Sequence, residues 1–181
     1  MTQKSGFSRV VLYARQHRAN QNVKETLERL ICYLRSKKVE PFLDIDTATH
    51  FSLDCPVLLR DKMKKPGTLI VVVGGDGSLL SAARMAVHAG VPVIGINRGH
   101  LGFLTDISPT VFESALTDVL SGAYVNEKRS LLQLRFEDDR NKTIIADALN
   151  DIVLSRGSET HLVRFDVYID EQFVSHYRAD G

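Results

Sequence analysis

The sequence predicts an α/β chain: an N-terminal Rossmann-like parallel-sheet domain followed by the start of an all-β domain. Three observations predict it. Short β-branched runs alternate with helical patterns as far as Gly122, which argues for a parallel sheet covered by helices. Thr68–Val73 is β-rich and apolar up to a glycine-rich turn, the pattern of a strand buried on both faces. Beyond Gly122, strand-like stretches follow one another with polar turns and no helix between them.

Arg9–Ala14 reads as the first strand. Val23, Leu27, Leu30, Ile31 and Leu34 then recur in one apolar stripe at helical spacing. Asn22 and Glu25 have the spacing of a capping box at its start, and Lys37 and Lys38 suit the negative end of its dipole. Val39–Ile45 is a second strand, which Pro41 places at a sheet edge. Thr47–Lys65 is ambiguous, with a short helix around Val57–Met63 as its best reading. Thr68–Val73 ends in Gly74-Gly75-Asp76-Gly77-Ser78, and Leu79–His88 follows as a helix stopped by Gly90. Val91–Ile96 is another buried strand, leading into Asn97-Arg98-Gly99-His100-Leu101-Gly102-Phe103. Ser108 and Pro109 read as N-cap and first residue of a helix through Phe112, Ala115, Leu116, Val119 and Leu120, closed by Gly122. Ser130–Glu137, Thr143–Ser155 and Arg164–His176 are strand-like, with turns at Asp138–Asn141 and Asp170-Glu171. The expected domains are residues 1–122, α/β, and residues 123–181, an incomplete β domain.

Composition narrows the function. The 181 residues carry 23 Lys and Arg against 22 Asp and Glu, which excludes a generally basic nucleic-acid surface. Two cysteines, Cys32 and Cys55, exclude a disulfide framework and a cysteine-built zinc site. The longest apolar run, Leu69–Val73, is too short to span a bilayer, and Met-Thr-Gln-Lys-Ser lacks the apolar region of a secretory signal. The expectation is a cytoplasmic protein that binds neither nucleic acid nor membrane.

The chemistry gathers in four places. A glycine-rich turn between a buried strand and a helix start is a ready anion site, because backbone N–H groups can approach a phosphate closely. Gly74–Ser78 is such a turn, yet it lacks the Lys-Ser/Thr pair of a Walker loop, and Leu80 breaks the dinucleotide fingerprint. Asp76 is its odd member. A carboxylate inside a phosphate cradle suits a base or a metal ligand; the alternative is that Asp76 or Ser78 caps the helix. Asn97–Gly102 follows a strand at the same sheet end, where open α/β sheets bind ligands, with Arg98 and His100 as cations for a phosphate or as plain surface residues. Asp106 and Ser108 read as turn and cap residues. Asn150-Asp151 interrupts an apolar stretch, as acceptors for a ribose diol or as a bulge. Arg178-Ala179-Asp180-Gly181 is, by itself, a frayed tail. Lys62, Lys64 and Lys65 read as a solvated face.

Gly-Gly-Asp-Gly after a Val-rich strand, then Ile-Asn-Arg-Gly-His-Leu-Gly-Phe-Leu-Thr-Asp, then Leu-Asn-Asp-Ile-Val-Leu, then Arg-Ala-Asp-Gly, in that order over nearly the whole chain, resembles the bacterial NAD kinases. The first motif is shared with phosphofructokinases and diacylglycerol-type lipid kinases; the second is specific. The resemblance implies transfer of the γ-phosphoryl of ATP, or of a phosphoryl from polyphosphate, to the 2′-hydroxyl of the NAD adenosine ribose, giving NADP. It implies Asp76 as base, with Gly75, Gly77, Ser78 and Asn97 on the nucleotide-binding loops and Phe103 beside the adenine. It implies Asn150 and Asp151 holding NAD, a polar contact from His161, and Arg178 and Asp180 near the nicotinamide end. It also implies Mg2+ carried with ATP, and a homo-oligomer. Ser78 stands where the family commonly has Thr, and Asp151 where it has Glu. The family continues past Asp-Gly with a Thr-Gly-Ser-Thr-Ala-Tyr-like segment and further β structure, so a chain stopping at Gly181 is expected not to turn over alone. Two alternatives stand: a non-catalytic dinucleotide-binding fragment, and a phosphofructokinase or lipid-kinase relative sharing the loop.

Overall fold

A computed structural model describes residues 6–15, 21–98, 104–105, 107–138, 140–155, 157 and 161–181. Its elements are β1 (Arg9–Tyr13), α1 (Gln21–Ser36), β2 (Glu40–Leu43), α2 (Ile45–His50), a 3-10 turn (Arg60–Lys62), β3 (Thr68–Gly74), α3 (Asp76–Ala89), β4 (Val93–Asn97), α4 (Phe112–Ser121), β5 (Leu132–Glu137), β6 (Thr143–Ala148), β7 (Val163–Ile169) and β8 (Gln172–Ala179). They form two compact units, Met1–Arg129 and Ser130–Gly181.

In the first unit the four strands make one parallel sheet in the order β2-β1-β3-β4. Alternate residues serve opposite faces, as the pleat requires. Val10 and Leu12 of β1 and Leu69, Val71 and Val73 of β3 join Leu27, Leu30 and Leu34 of α1 and Phe112 and Leu116 of α4 in one core. Val11, Ile70 and Val72 join Leu79, Ala82, Met85 and Ala86 of α3 on the other face. All seven residues of β3 are buried, which is why that strand has no polar alternation. Pro41 sits in β2, an edge strand, where its missing N–H costs no ladder bond on the open side. The order reverses between β1 and β3, and such a switch point opens a crevice at the carboxyl ends of the strands.

Several boundaries differ from the sequence reading. Asn22 lies inside α1, which starts at Gln21, so the Asn22–Glu25 spacing is no capping box. Ile45 leaves β2 to open α2, capped by Asp44, whose carboxylate accepts the N–H of Asp46 at 3.1 Å. Thr47 of that helix closes the end of β1: its Oγ1 accepts the N–H of Ala14 at 2.9 Å and donates to the carbonyl of Ala14 at 3.3 Å. In place of a helix at Val57–Met63 there is one 3-10 turn. The helix expected from Pro109 starts at Phe112 with Val111 as its cap, because the Ser108 hydroxyl is spent on a turn, accepting the N–H of Thr110 at 3.3 Å.

The second unit holds two antiparallel hairpins, β5-β6 and β7-β8. Asp138 orders the first turn, its Oδ1 accepting the N–H groups of Arg140 at 3.0 Å and Lys142 at 2.9 Å. Asp170 and Glu171 make the second with φ of 48° and 66°, the left-handed pair of a two-residue hairpin loop. The strand expected to reach Ser155 ends at Ala148, where its partner β5 begins at Leu132; without a partner to pair, Asn150 and Asp151 fall outside the ladder.

The packing sets a stability test. Ile70 is 0% exposed and Ile145 60% exposed. Ile70→Ala is expected to lower the unfolding free energy by about 2–5 kcal/mol, and Ile145→Ala to change it by no more than about 0.5 kcal/mol. Equal losses in denaturant melts would contradict the placement of the core.

Candidate functional site

β3 and β4 are parallel neighbours whose last residues, Gly74 and Asn97, stand opposite each other. The segments that leave them therefore start side by side. After β3 the chain turns at once into α3. A Cβ on Gly74 would stand 2.5 Å from Oγ and 2.8 Å from Cβ of Ser78, so only glycine lets the first turn of α3 fold back this closely. Gly75 is the N-cap and no side chain caps the helix, which keeps the anion affinity of an open helix start. Gly75 and Gly77 differ from Gly74: among the described residues a Cβ on either meets nothing within 4 Å. The packing of the described residues does not need glycine there.

Asp76, the first residue of α3, does not cap it. Its Oδ1 accepts the N–H of Leu104 at 3.1 Å, the N–H of Thr105 at 3.1 Å and the hydroxyl of Thr105 at 3.2 Å. Those donors belong to the segment after β4. That segment is itself laid back on its strand: the N–H of Asn97 donates to Ile107 at 2.8 Å, and the Asn97 amide Nδ2 donates to the carbonyl of Thr105 at 3.1 Å. Thr105 is fully buried and packs over Gly95, where a Cβ would come within 2.5 Å of Thr105 Cγ2 and 2.7 Å of Leu79 Cδ1. The N–H of Arg98 donates to Gly74 at 3.0 Å, a further tie between the two strand ends. Gly75, Asp76, Gly77, Ser78 and Asn97 are thus brought together, and the carboxylate is oriented by donors from the neighbouring loop.

Arg98 is not presented to the loop: its Nε donates to Thr26 Oγ1 at 2.7 Å. Phe103, His100 and Asp106 lie outside the described residues. Asn150, Asp151, His161, Arg178 and Asp180 all belong to the second unit and are exposed there. Arg178 lies in β8, paired with Arg164 of β7, so it is no frayed tail. Gly181 packs against Leu154 and Ser155, which brings the Asp180-Gly181 end beside the segment that follows Asn150-Asp151. Sequence reasoning missed Thr105, which stands between Leu104 and Asp106 with nothing in the local pattern to mark it. It also passed over Gly95, a glycine inside a buried strand, which marks a close approach. Among the described residues no group of three or more His, Cys, Asp or Glu could hold a metal ion, and no helix is long and apolar enough to cross a membrane.

Comparison with known proteins agrees with this fold. The family described as the ATP-NAD kinase N-terminal domain matches residues 10–124. An NAD kinase of Legionella pneumophila (strain Corby) is 59% identical over 178 residues, which are 98% of this chain and 60% of that protein. An NAD kinase of Teredinibacter turnerae is 44% identical over 164 residues, 90% of this chain and 56% of the relative. A crystal structure of yeast NADH kinase complexed with NADH superposes with a TM-score of 0.77 at 25% identity, covering 95% of this chain and 55% of that one. The chain thus spans 60% of the length of the Legionella relative.

The glycines give a direct test of the site's construction. Gly74→Ala and Gly95→Ala are each expected to destabilise the chain by about 1–3 kcal/mol, the cost of overpacking. Gly77, outside the left-handed region and facing open space, is expected to accept Ala with no loss or with a gain of up to about 1 kcal/mol. Thermal melts in which Gly77→Ala costs as much as Gly74→Ala would show that the loop is shaped by packing alone.

Proposed function

The chain belongs to the NAD kinase family, and from that premise we propose that it carries the phosphoryl-transfer centre of an enzyme that phosphorylates NAD on the 2′-hydroxyl of its adenosine ribose, with ATP or polyphosphate as donor and NADP as product. The observation that carries the reading is Asp76: a carboxylate at an open helix start, between two glycines with free space beside them, held in place by Leu104 and Thr105.

In this reading the terminal phosphate of the donor lies against the N–H groups of Gly75 and Gly77, where a helix N-terminus favours negative charge, while the Ser78 N–H closes the turn on the carbonyl of Gly75 at 2.9 Å. Room at Gly75 and Gly77 lets the phosphate approach the backbone. Asp76 accepts the proton of the 2′-hydroxyl as the new P–O bond forms. Phosphoryl transfer needs little covalent help, so orientation and charge stabilisation do most of the work. Held by its donors, the Asp76 carboxylate is set in place before substrate arrives. Asn150 and Asp151 would bind the NAD ribose, His161 would add a polar contact, Arg178 and Asp180 would meet the nicotinamide end, Asn97 would line the nucleotide site and Phe103 would stack by the adenine. In this reading a divalent cation such as Mg2+ enters on the donor's phosphates. We also place the enzyme in the cytoplasm and expect it to assemble as a homo-oligomer.

Asp76→Asn, made in the protein at the full length of its relatives, is expected to keep its melting temperature within a few degrees and to retain NAD binding. Its rate of NADP formation is expected to fall by about 10²–10⁴-fold, the usual worth of a general base. A variant that keeps more than half the wild-type kcat would reduce Asp76 to a structural tie between the loops.

A further inference from the structure

The buried face of α1 carries a polar residue. Val23, Leu27, Leu30, Ile31 and Leu34 form the apolar stripe of that helix, and Thr26, fully buried, stands among them. A hydroxyl taken out of water costs stability unless it is bonded. Thr26 is bonded twice. Its Oγ1 donates to the carbonyl of Asn22 at 2.8 Å, one turn earlier in the helix, and accepts from Nε of Arg98 at 2.7 Å. The hydroxyl proton is thus engaged inside α1, and the lone pairs are left to receive the guanidinium. Among the described residues Arg98 forms no ion pair, so among them this hydroxyl anchors its side chain.

The bond joins an element that is already seated to one that is held mainly by polar contacts. The stripe of α1 is part of the core, and Arg29 ties the same helix to α4, with Nη2 2.9 Å from Glu113. The chain leaving β4 has less apolar anchorage, since Asn97 and Arg98 are only half-buried. The N–H and side-chain amide of Asn97 reach the carbonyls of Ile107 and Thr105 at 2.8 Å and 3.1 Å, which pins the two ends of the connection after β4 to each other. The Arg98 N–H holds the carbonyl of Gly74 at 3.0 Å, and the Arg98 side chain crosses to α1. That pinned pair of ends carries Leu104 and Thr105, the donors to Asp76. Because α1 is fixed by its own packing, the Arg98–Thr26 bond fixes the connection and not the helix.

We propose that Arg98 and Thr26 are positioning residues for the phosphoryl transfer: by fastening the connection after β4 to α1 they hold Leu104 and Thr105, and through these the Asp76 carboxylate, in the orientation the reaction needs. An arginine just beyond a strand end at a phosphate loop suggests an anion ligand. With its Nε committed to a buried hydroxyl, Arg98 serves the geometry of the loop pair instead. The proposal rests on the phosphoryl-transfer reading for its effect on rate; the tie between α1 and Asp76 does not. Cutting that tie leaves the donors to Asp76 in place but frees the segment that carries them. The loss therefore falls on orientation, and so on kcat, and not on the affinity for either substrate.

Two measurements test it. Amide hydrogen exchange of the 181-residue chain, followed by NMR, needs no activity. Thr26→Val keeps the branched shape and removes the acceptor, and Arg98→Met removes the donor. In both, the N–H groups of Leu104 and Thr105 are expected to exchange roughly tenfold faster, the worth of one bond from a charged donor. The N–H of Ile70, bonded to Pro92 in the sheet, is expected to change by less than about twofold. Steady-state kinetics use the protein at the full length of its relatives. There both variants are expected to lower kcat by about tenfold, less than the 10²-fold that a misplacement of about 1 Å can cost, with the KM for NAD held within about twofold. Thr26→Ser, which keeps the hydroxyl, is expected to stay near wild type, and the double variant to be no slower than the slower single one. Arg29→Met cuts a different arginine tie of α1 and is expected to lower the melting temperature while leaving kcat unchanged. Unchanged exchange at Leu104 and Thr105, equal acceleration of every amide, or full kcat in both single variants overturns the proposal. A full-length protein that forms no NADP, while the variants still accelerate those two amides, would overturn the phosphoryl-transfer reading and confirm the tie to Asp76.

Discussion

One carboxylate oxygen joins the two loops on which the site is built. Asp76 Oδ1 receives the N–H groups of Leu104 and Thr105 and the hydroxyl of Thr105, so the start of α3 and the segment after β4 cannot move independently. Parallel strands bring their carboxyl ends together but leave the connections above them unconstrained. Here the constraint comes from the residue to which the proposed chemistry also falls. Whatever holds Asp76 in register with Thr105 therefore sets both the shape of the loop pair and the position of the proposed base.

The surroundings serve that tie at close range. Gly95 leaves room for Thr105 to lie on β4, and Gly74 leaves room for Ser78 to fold against β3. These two glycines admit protein; beside Gly75 and Gly77 no described residue comes within 4 Å of an added Cβ. One short stretch thus holds glycines of two kinds, one set by packing and the other leaving space for a ligand. At the far side of the switch point Thr47 satisfies both backbone groups of Ala14, which finishes β1 and fastens α2 to its end. The apolar layers on the two faces of the sheet supply the rigid base beneath.

Much of this was legible in the sequence. An unbroken apolar run at Thr68–Val73 can only be a strand buried on both faces or a buried helix, and its six residues before a glycine turn decide for the strand. The helix stops at Gly90 and Gly122 were readable because a left-handed C-cap favours glycine, and both adopt it, with φ of 66° and 90°. What sequence could not supply was partnership. Whether Asp76 caps its helix or reaches elsewhere depends on Leu104 and Thr105, 28 and 29 residues away. Strand β6 stops at Ala148 because β5 offers no further partner, which no local pattern records. The short helix α2 was invisible because its six residues are too few to show a period, and its stability comes from the Asp44 cap and the contact of Thr47 with β1.

The most direct measurement of the loop tie is a double-mutant cycle between Asp76→Ala, which removes the accepting oxygen, and Thr105→Val, read as unfolding free energy in denaturant. The Thr105 change removes the hydroxyl donor while keeping the branched shape over Gly95. A direct tie predicts a coupling energy of about 0.5–3 kcal/mol, the range for side chains in contact. Costs that add to within about 0.3 kcal/mol would mean that the two loops are held by their own packing and that Asp76 does not join them.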